Sequence, residues 1–399
     1  MAPLDNPHPV TLARPAAAPL SPIALLGRLI FYDPRLSRSG KLSCASCHDP
    51  NHAYGPPGDV VVPRGGPTLA VAGGRAVPSL RYVDRIPNFG IGPDNPEAEG
   101  TPPGAMSART AGAPLVPRGG LFWDGRTNTF QTQALAPLFN PVEMANVDTA
   151  AVARALRRAP YAARFAKLFG TETVRPDARL IDEALFAVGQ FESHDPSFHP
   201  YSSKYDAYLE GKATLTPEEA RGLALFEDPA RGNCATCHLS RPAADGQPPT
   251  FSDYQYEALA VPRNDSLGPD RDPRYFDLGL CGPIRTDRSR DSQYCGMFRT
   301  PSLRNAATRR VFFHNGIYHT LEDVLRFYVL RDTRPEEIYP RDSAGTVRRY
   351  DDLPRAYWGN VDTVDAPFGR HPGDPPALTE PEIRAIVAFL GTLTDGYHP

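Results

Sequence analysis

No stretch of this 399-residue chain reaches the roughly 18 to 20 consecutive apolar residues that a membrane-spanning helix needs. Its opening, Met1-Ala-Pro-Leu-Asp-Asn-Pro7, lacks the basic and apolar regions of a secretory signal peptide. An excess of one charge is missing as well. The 43 Lys and Arg stand against 46 Asp and Glu, a formal net charge of -3, and no basic stripe marks a nucleic-acid surface. A nucleic-acid partner and a membrane span are both set aside on these grounds. Period-two apolar alternation is confined to short pieces such as Asp59 to Val62, so few strands are expected and the class reads as mainly α with much irregular loop. Methionine (4), tryptophan (2) and cysteine (6) are rare enough for each position to be weighed. Proline (45) and glycine (33) are plentiful, above average usage yet below the level of low-complexity disorder, and predict long ordered loops.

Four of the six cysteines fall in one pentapeptide used twice, Cys44-Ala-Ser-Cys47-His48 and Cys234-Ala-Thr-Cys237-His238. Two cysteines one helical turn apart can bond both vinyl groups of a haem while the following imidazole ligates the iron. A zinc site would need a fourth ligand near each triplet, and none is obvious. Two covalent haems c are therefore expected, with His48 and His238 as iron ligands. Attachment of this kind occurs outside the cytoplasm, which makes a periplasmic protein whose signal peptide is already absent the expectation. The remaining Cys281 and Cys295 fit that compartment either as a disulfide or as two free thiols, because sequence does not give their separation in space.

The haem motifs sit inside a longer duplication. Gly27-Arg-Leu-Ile-Phe31-Tyr-Asp33-Pro34 precedes the first, and Gly222-Leu-Ala-Leu-Phe226-Glu-Asp228-Pro229 the second. The shared Gly-x-x-x-Phe-x-Asp-Pro, then a turn, then Cys-x-x-Cys-His, is one supersecondary unit used twice. Thr216-Pro-Glu-Glu219 supplies an N-cap, a proline at the first helical position and an N3 glutamate for the opening helix of the second copy, and Asp-Pro ends it. Each half closes in an apolar-periodic segment, Leu180 to Phe191 and Ile383 to Leu393, the latter opened by Thr379-Glu-Pro-Glu382. The length suits two domains. They are expected to be cytochrome c-like, over 1–200 and 201–399, with the boundary near 195–213 where His194-Asp-Pro-Ser-Phe-His-Pro200 interrupts the first closing helix.

Between the haem motifs lie Leu121-Phe-Trp123-Asp-Gly-Arg126, Gln131-Thr-Gln133-Ala-Leu-Ala-Pro137 and Asn140-Pro-Val-Glu143-Met144. After the second come Phe298-Arg-Thr-Pro301-Ser-Leu303-Arg304-Asn305, Phe313-His314-Asn-Gly316 and Thr320-Leu-Glu-Asp-Val-Leu-Arg-Phe-Tyr328. In order and spacing these blocks resemble the bacterial dihaem cytochrome c peroxidase family, which includes the MauG enzymes, over most of residues 20–395. The resemblance implies that the N-terminal haem, on His48, reacts with hydrogen peroxide and that the C-terminal haem, on His238, stores or relays the second oxidising equivalent. It also implies that Trp123 lies between the haems, that Gln133 and Pro137 belong to the distal pocket, and that Glu143 is the acid-base residue. The electron donor would be a small cytochrome c, a cupredoxin, or an aromatic residue of a protein substrate.

The residue chemistry is compatible with these roles. Peroxide cleavage needs a group that moves a proton from the near to the far oxygen, and a carboxylate desolvated near a haem has a raised pKa suited to that transfer. A lone glutamate is usually solvated, so the case for Glu143 rests on its block. Trp123 reads equally as a core anchor and as a carrier of an electron hole, and Gln133, on an expected helix from Asn128 to Leu138, as an exposed polar face. The second haem's sixth ligand is either Tyr328, on the expected helix Leu321 to Leu330, or Met297 beside Cys295. A helix gives the more rigid ligand arm, and a phenolate is the harder donor that favours oxidised iron.

The chain also departs from the family. The loop Val60 to Gly74 holds no histidine, where reductively activated relatives carry a distal one, and His52 is expected on a surface loop; the first iron should be open without prior reduction. The family's calcium-ligating asparagine is replaced by Ala76, leaving the carbonyls near Arg309 and Val311, so any calcium would bind more weakly. Gly232 stands where MauG has a surface tryptophan. The proline- and glycine-rich loop Asp84 to Gly120 is longer than usual and is expected to cover a haem edge or a subunit contact. The competing class is a dihaem electron-transfer cytochrome with six-coordinate iron at both haems and no role for Glu143. Sequence alone sets no oligomeric state.

Overall fold

The computed structural model describes residues 4–16, 18–94 and 115–398; the segment 95–114 of the long loop expected over Asp84 to Gly120 lies outside the described residues. The protein is mainly helical. Helix α1 (Pro22–Phe31) is capped by Ser21, whose side chain accepts from the Ala24 amide, and begins on a proline that needs no amide partner. It is followed by the helical turn α2 (Cys44–Cys47), then α3 (Phe130–Phe139), α4 (Thr149–Arg158), α5 (Ala163–Phe169) and α6 (Asp177–His194). The second half holds α7 (Lys204–Leu209), α8 (Pro217–Glu227), α9 (Leu321–Leu330), α10 (Pro335–Ile338) and α11 (Glu380–Gly391). Reciprocal capping boxes join Thr216 to Glu219 and Thr379 to Glu382 at the starts of α8 and α11.

The duplicated glycine explains how each half is assembled. A Cβ on Gly27 would lie 1.8 Å from the carbonyl oxygen of Ala187, and one on Gly222 1.9 Å from that of Ala385. Only glycine lets α1 cross α6, and α8 cross α11, with backbones in contact. The duplicated phenylalanine then plugs each crossing. Phe31 meets Phe191 edge-on at 5.5 Å and Phe226 meets Phe389 at 5.2 Å, all four buried. Two apolar cores result. One gathers Leu26, Ile30, Phe31, Val188, Phe191 and Phe198, and the other Leu225, Phe226, Phe251, Ile386 and Phe389.

The chain does not divide cleanly by sequence order. Residues 4–14, placed in the first unit by their position in the chain, pack on the second: Leu4 bridges to Leu215, the Val10 amide donates to Leu209, Leu12 joins the second core and Arg14 pairs with Glu210. Strands are few. Three two-stranded antiparallel ribbons are present among the described residues: β1 (Arg64–Gly65) with β2 (Val71–Ala72), β3 (Gly90–Pro93) with β4 (Leu115–Arg118), and β5 (Tyr256–Glu257) with β6 (Phe298–Arg299). The alternating piece Asp59 to Val62 forms no strand. Prolines at 56, 57 and 63 flank it, which removes ladder donors, and Val60 is 51% exposed.

Cys281 and Cys295 form a disulfide across a sequence separation of 14, with Cα atoms 5.1 Å apart, which settles the choice left open by sequence. In the chain-entropy account a loop of this size contributes about 3 kcal/mol. The double replacement of Cys281 and Cys295 by Ala is expected to lower the midpoint of denaturant unfolding accordingly. An unchanged midpoint would show that the surrounding loop is ordered without the bond.

Candidate functional site

The two Cys-x-x-Cys-His loops share a geometry down to single hydrogen bonds. In each, the histidine amide donates to the first cysteine carbonyl, His48 to Cys44 at 2.9 Å and His238 to Cys234 at 2.8 Å. His48 Nδ1 then donates to the Tyr54 carbonyl at 3.1 Å, and His238 Nδ1 to that of Phe251 at 2.9 Å. Tyr54 (φ 54) and Phe251 (φ 56) are both left-handed, the turn that aims each carbonyl back at its imidazole. The residue just before each accepts from a serine: Ser79 Oγ donates to the Ala53 carbonyl, and Ser302 Oγ to that of Thr250 at 2.6 Å. Those serines belong to Pro78-Ser-Leu-Arg81 and Pro301-Ser-Leu-Arg304, a second repeat legible in the sequence that the haem motifs overshadow.

This arrangement fits haem c on both loops. Burial pushes both imidazoles down to about 4, so they are neutral, and donating Nδ1–H to a carbonyl leaves the Nε2 lone pair free for iron. Burial raises the thiols, Cys44 to about 12, Cys47 to about 11 and Cys234 to about 12, and raises Cys237 further. A zinc-thiolate centre would need a fourth ligand at each loop, and among the described residues no group of three or more His, Cys, Asp or Glu side chains is placed to hold a metal ion. None of the four thiols is in a disulfide, which leaves each Sγ free for a vinyl group.

The second loop opens on a cavity with about 1670 Å³ of empty space, its solvent-facing mouth included. Cys234, Cys237 and His238 line it from one side, and Leu325 and Tyr328 from α9. Tyr328 is packed by the Phe313 ring at 6.0 Å and the Phe368 ring at 5.5 Å, and burial holds its phenol well above the ordinary range. Met297 is not among the lining residues; its carbonyl accepts from Leu280, beside the disulfide. Tyr328, not Met297, is therefore the side chain that shares a cavity with His238.

Around the first loop the residues come from α3 and the turn after it. Glu143 is held by Asn140, whose Nδ2 donates to Oε1 at 2.7 Å. Burial raises the Glu143 carboxyl, against the opposing pull of the Arg126 guanidinium. Its charge is felt at Cys47, so the structure brings Glu143 to the first haem loop. A Cβ on Gly65 would lie 2.2 Å from the Val142 carbonyl oxygen; the close approach that seats Glu143 needs glycine there. Gln133 and Pro137 lie one turn apart on α3, and the Pro137 carbonyl accepts from the Met144 amide. The Gln133 side-chain amide has no hydrogen bond to a described residue. His52 is 43% exposed and pairs with Asp49, a surface loop residue as expected.

Trp123 lines both the second-haem cavity and a smaller one bordered by both Pro-Ser-Leu-Arg segments. Its Nε1 donates to the Ala76 carbonyl at 2.8 Å, and its own carbonyl accepts from the Arg299 amide at 3.0 Å. The described residues give calcium no support. Ala76 has no side-chain oxygen, its carbonyl is taken by the indole, and the Arg309 guanidinium already donates to the neighbouring Val77 carbonyl at 3.0 Å. Glu192 went unnoticed in the sequence: it is buried on α6 with Oε2 unpartnered, its charge is felt at Cys44, and burial raises it to about 8. A lone glutamate inside an apolar helix period gives no signal of that proximity.

Two helical units, each presenting an oriented imidazole beside paired free thiols, define a dihaem c-type redox protein. The pattern of the di-haem cytochrome c peroxidase family matches residues 21–214. The methylamine utilization protein MauG of Paracoccus denitrificans is 32% identical over 398 residues, covering 96% of this chain and 90% of that one. The cytochrome c551 peroxidase of Nitrosomonas europaea is 28% identical, covering 79% of this chain and 76% of that one. Among solved structures, the diheme peroxidase BthA from Burkholderia thailandensis superposes with a TM-score of 0.80 at 38% identity, covering 99% of this chain and 95% of that one. The chain belongs to the MauG-like dihaem cytochrome c peroxidase family and is an enzyme of the dihaem peroxidase type. No helix among the described residues is long and apolar enough to cross a membrane.

Proposed function

We propose that the protein reduces hydrogen peroxide at the haem carried by Cys44, Cys47 and His48, and passes oxidising equivalents to the haem carried by Cys234, Cys237 and His238. Bound haem supplies the electrons that break the O–O bond; the chain supplies the proton, the orientation and the route. The half-buried Glu143 carboxylate, fixed by Asn140 at 2.7 Å and close enough for its charge to be felt at Cys47, is the observation that carries this reading. With a raised pKa it takes a proton from the near peroxide oxygen and returns it to the far one, so that water leaves. Gln133 and Pro137 shape the same pocket, Gln133 with an amide free to hydrogen-bond bound peroxide. Trp123, fixed by Ala76 and lining the cavity that holds His238, is the route between haems. Tyr328, which lines the same cavity as Cys234, Cys237 and His238, would hold the second haem together with His238, so that only the haem on His48 would be open to peroxide.

The units expected over 1–200 and 201–399 divide the labour accordingly, the first, without residues 4–14 that pack on the second, reacting with peroxide and the second handling electrons. Reducing equivalents come from a small cytochrome c, a cupredoxin or an aromatic side chain of a protein substrate, in the periplasm where haem c is attached. The test is addition of peroxide to the ferric holoprotein. A rapid change in the Soret and near-infrared bands, with one peroxide consumed per event, is expected. An inert spectrum would instead identify an electron-transfer cytochrome whose two irons are both closed.

A further inference from the structure

The smaller cavity beside Trp123 is lined by four arginines, Arg81, Arg299, Arg304 and Arg309, and by no acidic residue. Two of them are neutralised from behind. Arg304 makes a fully buried bidentate pair with Asp206, at 2.9 and 2.6 Å, and Arg81 pairs with Asp395 at 3.1 Å, though its buried Nε has no partner. The other two have no carboxylate partner among the described residues. Arg299 reaches only the Phe122 carbonyl, at 3.4 Å, and Arg309 only that of Val77, at 3.0 Å. Desolvation lowers both guanidinium groups, Arg309 to about 10. No carboxylate offsets the desolvated charge of Arg309, and Arg299 is offset only at longer range, by Asp124 and Asp253. A desolvated cation without a paired counter-charge is costly, and the cheapest compensation is an anion in the cavity both side chains line.

The position names the anion. Pro78-Ser79 on one side and Pro301-Ser302 on the other are the segments whose serines brace the two haem loops, and Arg309 stands close enough to His48 for its charge to be felt there. Each haem carries two carboxylates that attachment through cysteine leaves free. We propose that Arg309 and Arg299 bind haem propionates from the two units in this shared cavity, so that one pair of fixed cations sets the electrostatics of both haems. A guanidinium is the suited partner, since its planar fork donates two parallel hydrogen bonds to a carboxylate. The inference rests on haem at both loops and not on peroxide chemistry.

Resonance Raman of the ferric holoprotein, with a redox titration of the same samples, tests it. In Arg309→Gln the propionate bending band is expected to shift and the first-haem potential to fall, because a positive charge beside the iron has been removed. Arg309→Lys is expected to keep most of the potential and still shift the band, since an ammonium cannot fork. Wild-type spectra should be indifferent to added inorganic phosphate. Phosphate-dependent bands would mean that the cations hold a free anion, and band and potential unmoved in either variant would mean that no propionate reaches them; both overturn the proposal. Should Arg309→Gln fail to load haem, the Lys variant and the phosphate titration decide.

Discussion

Replacing Glu143 by Gln is expected to slow peroxide consumption by about 10²- to 10⁴-fold, the usual contribution of positioned acid-base catalysis, with haem content and the ferric spectrum unchanged. Glutamine fills the same volume and still accepts the Asn140 hydrogen bond, so the turn after α3 should survive. What is lost is the ability to accept and return a proton. Burial raises the Glu143 carboxyl above its ordinary value. The base form is the working one, so the wild-type rate should rise with pH through that raised pKa and level off above it. The Gln variant should lack this limb altogether. A Gln variant that keeps the wild-type rate and pH profile would place the proton transfer elsewhere.

Replacing Gly222 by Ala should be among the most damaging changes away from the haems. Helix propensity alone favours alanine by about 1 kcal/mol. The added Cβ would, however, lie 1.9 Å from the Ala385 carbonyl oxygen and 2.8 Å from the Phe389 Cβ. Backbone cannot yield as a flexible side chain can, so α8 and α11 must separate. Overpacking of this kind costs about 1–3 kcal/mol and sometimes more, so the contact outweighs the propensity. Gly391 at the end of α11 is the control, because nothing lies within 4 Å of its Cβ position. Denaturant midpoints of the two variants should move in opposite directions, Gly222→Ala down and Gly391→Ala level or slightly up. Equal midpoints would mean that the helix crossing is slack.

Much of this was readable in the chain because it recurs. Gly-x-x-x-Phe-x-Asp-Pro marks a helix crossing twice, with glycine at the contact and phenylalanine as the plug. Helices α9 and α11 follow their apolar period and capping residues. Features that do not repeat were harder to see. The docking of residues 4–14 on the second unit combines backbone hydrogen bonds to Leu209 and Leu215 with single side chains, Leu12 in the core and Arg14 on Glu210, too few and too scattered to form a periodic pattern. Asp59 to Val62 has the alternation of a strand but no partner, and pairing is a property of the fold. Arg309 is one arginine among many until the cavity shows that it lacks a counter-charge. Glu192 lies on a helix face that reads as apolar on either side of it, and its distance from Cys44 depends on how α6 crosses α1.

The central claim is that two haems on matching loops are chemically unequal, one open and one closed by Tyr328. Electron paramagnetic resonance of the ferric holoprotein and its Tyr328→Met variant tests this most directly. The account predicts one high-spin and one low-spin ferric signal in the wild type, with the substitution moving the low-spin signal alone. Two low-spin signals in the wild type, or a low-spin signal unmoved by the substitution, would contradict it.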